Sequence, residues 1–101
     1  MFHTASPFWM DDRITDPVAQ LVEPAEQGTL NVLRSCEESG SVERVVVTSS
    51  FAAAMNVGGR EPWPADFVYN EAHWNVSSAP FPDGTFPEPA NAHAYRWSKT
   101  A

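Results

Sequence analysis

The sequence predicts an α/β fold: a strand, a helix and a parallel strand, then a long irregular connection and a second helix. Three patterns carry that expectation. Apolar residues recur at three- and four-residue steps between Val18 and Cys36, the mark of one face of a helix. The run Val45-Val46-Val47 is β-branched without polar alternation, as in a parallel strand covered on both faces. Between Phe51 and Ala90 no period survives, and Pro62, Pro64, Pro80, Pro82, Pro87 and Pro89 all fall there.

Taken in order, Met1 to Ala5 reads as the end of a buried strand, stopped by Ser6-Pro7 because proline cannot donate to a ladder. Asp16 is a good N-cap and Pro17 a good first helical residue. The stripe that follows is Val18, Leu21, Val22, Ala25, Thr29, Val32, Leu33 and Cys36. Pro24 lies inside it and removes one backbone hydrogen bond to Gln20, which predicts a kink. Gly40 suits the C-terminal cap. Val42 to Ser50 is then a strand ending in hydroxyls, and strand, helix and strand make one right-handed crossover unit. A connection as long as Phe51 to Ala90 is uncommon in a small domain and is usually functional or mobile. Its aromatics (Trp63, Phe67, Tyr69, Trp74, Phe81 and Phe86) argue against simple disorder, and most are expected to pin the loop to the domain. Asn91 is a fair N-cap for a helix from Ala92 onward.

That last helix holds Tyr95-Arg96-Trp97-Ser98-Lys99, with the only lysine of the chain four residues after one of its two tyrosines. Residues four apart share a helix face, one turn from each other. An ammonium beside a phenol favours the ionised phenol, so the pair suits proton transfer. Upstream, Thr48-Ser49-Ser50 places hydroxyls at a strand's C-terminal end, where open α/β sheets bind ligands.

Composition narrows the remaining classes. The 101 residues suffice for one small domain, and their 43% apolar content is ordinary for a globular chain. A net charge of −7 with six scattered basic residues lacks the footprint of a nucleic-acid binder. Cys36 has no partner for an internal disulfide and suits a reducing compartment, so a cytoplasmic setting is expected. No stretch approaches the roughly 20 apolar residues of a membrane span. His3, His73 and His93 with Cys36 show no metal-ligand spacing.

Five collinear segments resemble the extended branch of the short-chain dehydrogenase/reductase superfamily. They are Phe2 to Pro7, Glu23-Pro24-Ala25 with Gly28 to Leu33, Arg44 to Ser50, Tyr69 to Trp74, and Tyr95 to Lys99. The group most similar is that of the dihydroflavonol, cinnamoyl-CoA and fungal ketone/aldehyde reductases. The resemblance implies a partial Rossmann-type fold and reduction of a ketone or aldehyde with NADP, or alternatively NAD, on a small-molecule substrate. It implies Ser50, Tyr95 and Lys99 as catalytic residues, with Tyr95 as proton donor and Ser50 on the carbonyl oxygen. Thr4, Ala5, Ser6, Tyr95 and Lys99 would meet the cofactor, and Ser50, Met55 and Tyr95 the substrate, beside a substrate-side loop over residues 51–90. In this branch a Gly-rich turn binds the pyrophosphate, yet Gly28, Gly40, Gly58, Gly59 and Gly84 show no such spacing after a strand. The resemblance thus reads the chain as the central piece of a longer reductase, inactive alone. Met55 departs from the polar residue of plant dihydroflavonol reductases, and Ala25 from the extra asparagine of many superfamily members. Sugar-nucleotide epimerases and dehydratases share the Ser and Tyr-x-x-x-Lys set, and a non-catalytic remnant is a third reading.

Overall fold

The structure, a computed structural model, describes residues 1–8, 11, 13–55 and 66–101. Strands β1 (Phe2–His3) and β2 (Val46–Val47) pair in parallel, Phe2 opposite Val46 and His3 opposite Val47. The Val46 amide donates to the Met1 carbonyl and the Thr48 amide to the His3 carbonyl, each at 2.9 Å. Both strands are shorter than the expected Met1 to Ala5 and Val42 to Ser50. Each strand has one partner among the described residues, so the ladder ends where that partner ends. Coverage on both faces also fails, because Val46 and Val47 are 43% and 45% exposed.

Helix α1 (Glu23–Ser39) is preceded by a π-helical turn, Val18–Val22. Asp16 opens it as expected: its carboxylate accepts from the Ala19 amide at 3.1 Å. Gln20 Oε1 reaches back to the amides of Thr15 and Asp16, both at 2.8 Å, the reciprocal logic of a capping box. The irregularity expected at Pro24 takes the form of wide winding just before it. The Glu23 amide reaches five residues back to the Val18 carbonyl. That wider turn makes room for a ring that would otherwise crowd the Gln20 carbonyl. Gly40 ends α1 at φ 61°, in the left-handed region, its amide on the Glu37 carbonyl at 3.2 Å.

Leu21, Val22, Phe86 and Ala94 form the buried core, with Ile14, Val18, Ala90, Tyr95 and Trp97 packed around them. The core therefore sits where the π-helical turn meets helix α2 (Ala90–Thr100), away from the sheet. Of the predicted stripe Leu21, Val22, Ala25 and Cys36 are buried, whereas Leu33 is exposed. A polar bond ties sheet to helix: buried His3 places Nε2 3.1 Å from the Thr29 hydroxyl, which donates to the Ala25 carbonyl at 2.8 Å.

Two single 3₁₀ turns, Phe51–Ala53 and Val76–Ser78, punctuate the long connection. Phe86 anchors it in the core, and Phe67, Tyr69 and His73 stack edge to face on one another at 5.0 to 5.6 Å. Trp74 and Phe81 are exposed, so the anchoring role expected of the aromatics does not extend to them. Trp63, Pro62, Pro64 and Gly58-Gly59 lie outside the described residues. Helix α2 starts before the expected N-cap. The Glu88 carboxylate accepts from the Ala90 amide at 3.2 Å, and Asn91, inside the helix, donates its side-chain amide to the Asp11 carbonyl at 3.2 Å.

Candidate active site

Helix α2 forms readily because three alanines (Ala90, Ala92 and Ala94) alternate with polar residues near its start. Acidic Glu88 lies at its positive end and Lys99 in its last turn, both favourable to the helix dipole. His93, Ala94 and Ser98 are buried, which fixes the helix rotation. Tyr95 and Lys99 then lie together on the neighbouring, half-buried face.

The Lys99 ammonium stands 5.4 Å from the centre of the Tyr95 ring and donates to the Ser6 hydroxyl. Burial lowers the Lys99 pKa from its usual range. On its other side the Tyr95 ring meets Phe8 edge to face, with centroids 5.0 Å apart. The segment leaving β1 thus lies beside both residues, Ser6 on the lysine and Phe8 on the tyrosine.

Ser50 follows β2 in extended backbone (φ −143°, ψ 153°) and caps the Phe51–Ala53 turn, its Oγ accepting from the Ala52 amide at 3.2 Å. A hydroxyl that accepts this bond still has its own proton to donate. In extended chain, consecutive side chains point to opposite sides. Ser49 accordingly lines one cavity and Ser50 another.

The first cavity, about 270 Å³, is walled by Ala5, Ser6, Thr29, Ser49, Ser98 and Lys99 among others. Hydroxyls around one ammonium suit a polyhydroxylated ligand such as a ribose. The second, about 420 Å³, is lined by Phe8, Ser50, Phe51, Ala52, Met55, Tyr95 and Arg96. Its walls are mainly apolar and include the two hydroxyl-bearing residues Ser50 and Tyr95. Ser50, Met55 and Tyr95 therefore line one cavity, while Ala5, Ser6 and Lys99 line the other. Thr4 is exposed and lines neither cavity. Sequence reasoning missed Phe8 and Arg96. Arg96 directly follows Tyr95, whereas Phe8 carries no local signal and is placed by the path of the chain after Pro7. Among the described residues no three of His, Cys, Asp and Glu group as a metal site, and no helix is long and apolar enough to cross a membrane.

A parallel strand pair, a hydroxyl-bearing strand end and a Tyr/Lys helix beside it define the class: a Rossmann-type α/β fold, present in part. No family model matches the chain. It is 52% identical over 71 residues to a cinnamoyl-CoA reductase of Medicago truncatula, covering 70% of this chain and 21% of that protein. It is 39% identical over 80 residues to the NADPH-dependent methylglyoxal reductase of Saccharomyces cerevisiae, covering 77% and 22%. The crystal structure of the yeast methylglyoxal/isovaleraldehyde reductase complexed with NADPH superposes with a TM-score of 0.76 at 35% identity, covering 98% of this chain and 27% of that one. The chain belongs to the extended short-chain dehydrogenase/reductase family, in the group of the cinnamoyl-CoA, dihydroflavonol and methylglyoxal reductases. It spans about one fifth of the length of these curated relatives.

Proposed function

We propose that this chain carries the catalytic serine, tyrosine and lysine of a reductase that converts a ketone or aldehyde to its alcohol, reversibly, with NADPH. The observation that carries the reading is the shared pocket of Ser50, Met55 and Tyr95, with Lys99 one turn from Tyr95 on α2. Ser50 donates its hydroxyl proton in a hydrogen bond to the substrate's carbonyl oxygen, holding it towards Tyr95. Tyr95 Oη transfers its proton to that oxygen as negative charge develops, and takes it back in the reverse direction. Phe8, Phe51 and Met55 present apolar surface to the rest of the substrate and displace water from it.

The residues fit one end of the cofactor. Lys99, with Ser6 and Ala5 beside it, would hold the nicotinamide ribose hydroxyls, for which an ammonium has three donors. The bound cofactor supplies the hydride. For the pyrophosphate the sequence offers no Gly-rich turn, so this chain holds the cofactor at that one end.

The test is a chimaera in which residues 1–101 replace the matching segment of the yeast methylglyoxal reductase. The chimaera should bind NADPH, melt cooperatively and reduce an aldehyde. Tyr95→Phe should lower kcat by about 10²–10⁴-fold, the usual worth of a positioned general acid. Wild-type turnover in Tyr95→Phe, with NADPH binding intact, would overturn the assignment.

A further inference from the structure

Asn75 is fully buried, an unusual position for an asparagine, and it lies in the long connection and not in a regular element. Its backbone amide donates to the Ala53 carbonyl at 2.7 Å and its side-chain amide to the Ala52 carbonyl at 3.0 Å. The Ser77 hydroxyl in turn donates to Asn75 Oδ1 at 2.8 Å. Ala52 and Ala53 belong to the turn that Ser50 caps, and both are buried. Three residues on, Ser78 is also fully buried, and its hydroxyl lies 3.2 Å from Nδ1 of buried His93. His93 stands on α2 two residues before Tyr95.

We propose that Asn75 is a positioning residue, and that the segment Asn75–Ser78 is a polar brace setting the Ser50 turn against the Tyr95 helix. One end grips two carbonyls of the Ser50 turn and the other grips α2. Helix α2 packs directly on the Phe51–Ala53 turn, and these hydrogen bonds add a directional constraint to that packing. Buried amides and hydroxyls suit this role, because losing a partner leaves a desolvated group unpaired, which resists sliding as apolar packing does not. A misplacement of about 1 Å between reacting groups lowers rates by about 100-fold, which makes such a brace matter to turnover. The inference rests on the proposed roles of Ser50 and Tyr95 for its catalytic meaning, though the brace itself is a structural statement.

The experiment is solution NMR on the full 101-residue chain. In the unaltered chain the Asn75 side-chain amide protons should exchange with water at least ~10-fold more slowly than those of exposed Asn31, since they are buried and bonded. Asn75→Ala and Asn75→Asp both remove the donor to Ala52. Each should speed amide exchange at Ala53, Ala54 and Met55 by ~10-fold or more and abolish the nuclear Overhauser contacts between the Phe51–Ala53 turn and α2. Contacts between Leu21 and Ala94, and exchange within α1, should stay unchanged, which a merely stabilising asparagine would not spare. Equal exchange of the Asn75 and Asn31 side-chain amides in the unaltered chain overturns the brace, whatever the variants do. So do turn-to-α2 contacts that survive both substitutions. An inactive chimaera with this protection intact would refute the reductase reading and leave the brace standing.

Discussion

Lys99 and His93, six residues apart on α2, have their pKa values shifted by the same cause. Burial holds both below their ordinary values, and for His93 the nearby Arg96 charge adds to it. A histidine whose folded pKa lies below its unfolded value, near ~6.5, binds fewer protons when folded. Its contribution to stability is therefore full above about pH 6.5 and is lost as pH falls through the folded value. Melting temperature should decline over that range more steeply in the unaltered chain than in His93→Gln, and scanning calorimetry from pH 7.5 to 5 reads the difference. Lys99→Ala in the chimaera should raise KM for NADPH and lower kcat together, because in the proposed site one ammonium serves both the ribose and the tyrosine. A change in kcat alone would separate those roles. Ser50→Ala removes the cap of the Phe51–Ala53 turn as well as the proposed donor to substrate, so its kinetic loss has to be read beside a stability measurement. Of these residues Ser50, Tyr95 and Lys99 are proposed from motif and spacing in the sequence. Asn75 was not, since nothing in a loop sequence marks which asparagine is buried.

Helix ends were the most legible elements, because capping depends on neighbours in sequence. Asp16 and Gly40 do what their residue types favour, and both can be tested. Gly40→Ala places a Cβ in open space but at φ 61°, so it should destabilise the chain by about 1–2 kcal/mol through backbone conformation alone. Asp16→Ala removes the bond to the Ala19 amide and should destabilise by about 1 kcal/mol. Urea unfolding followed by circular dichroism measures both; an unchanged midpoint for either would remove its cap from the account. Strand lengths were less legible, since pairing depends on partners distant in sequence. The Val45-Val46-Val47 run announces a buried strand by composition, yet Val46 and Val47 are partly exposed in a two-stranded sheet. Two strands are marginal by themselves. The Val46 and Thr48 amides should therefore exchange faster than those at the middle of α1, in a native-state exchange experiment.

Across the chain as a unit, packing is concentrated at one end. Leu21 is fully buried where the π-helical turn, Phe86 and Ala94 meet. Leu21→Ala should cost about 2–5 kcal/mol, a large share of the ~5–15 kcal/mol available to a small domain, and should abolish cooperative melting. At the other end the sheet faces, with Phe2 at 78% exposure, leave apolar surface open to water. With no Gly-rich turn to receive a pyrophosphate, the 101-residue chain should bind NADPH weakly and not turn over. Isothermal titration tests this, and micromolar binding would show that the one-ended cofactor site suffices.

Order and type of the elements and the two helix caps were readable from residues alone, as was the motif spacing on which Ser50, Tyr95 and Lys99 are proposed as a set. Each depends on interactions within a turn or two of chain, or on a motif whose spacing is itself the signal. The placing of Phe8 on Tyr95 and Ser6 on Lys99, and the Asn75 brace, depend on residues 15 to 93 positions apart coming together. Such contacts are chosen by packing and by the pairing of buried polar groups, and no local pattern encodes which distant partner satisfies them.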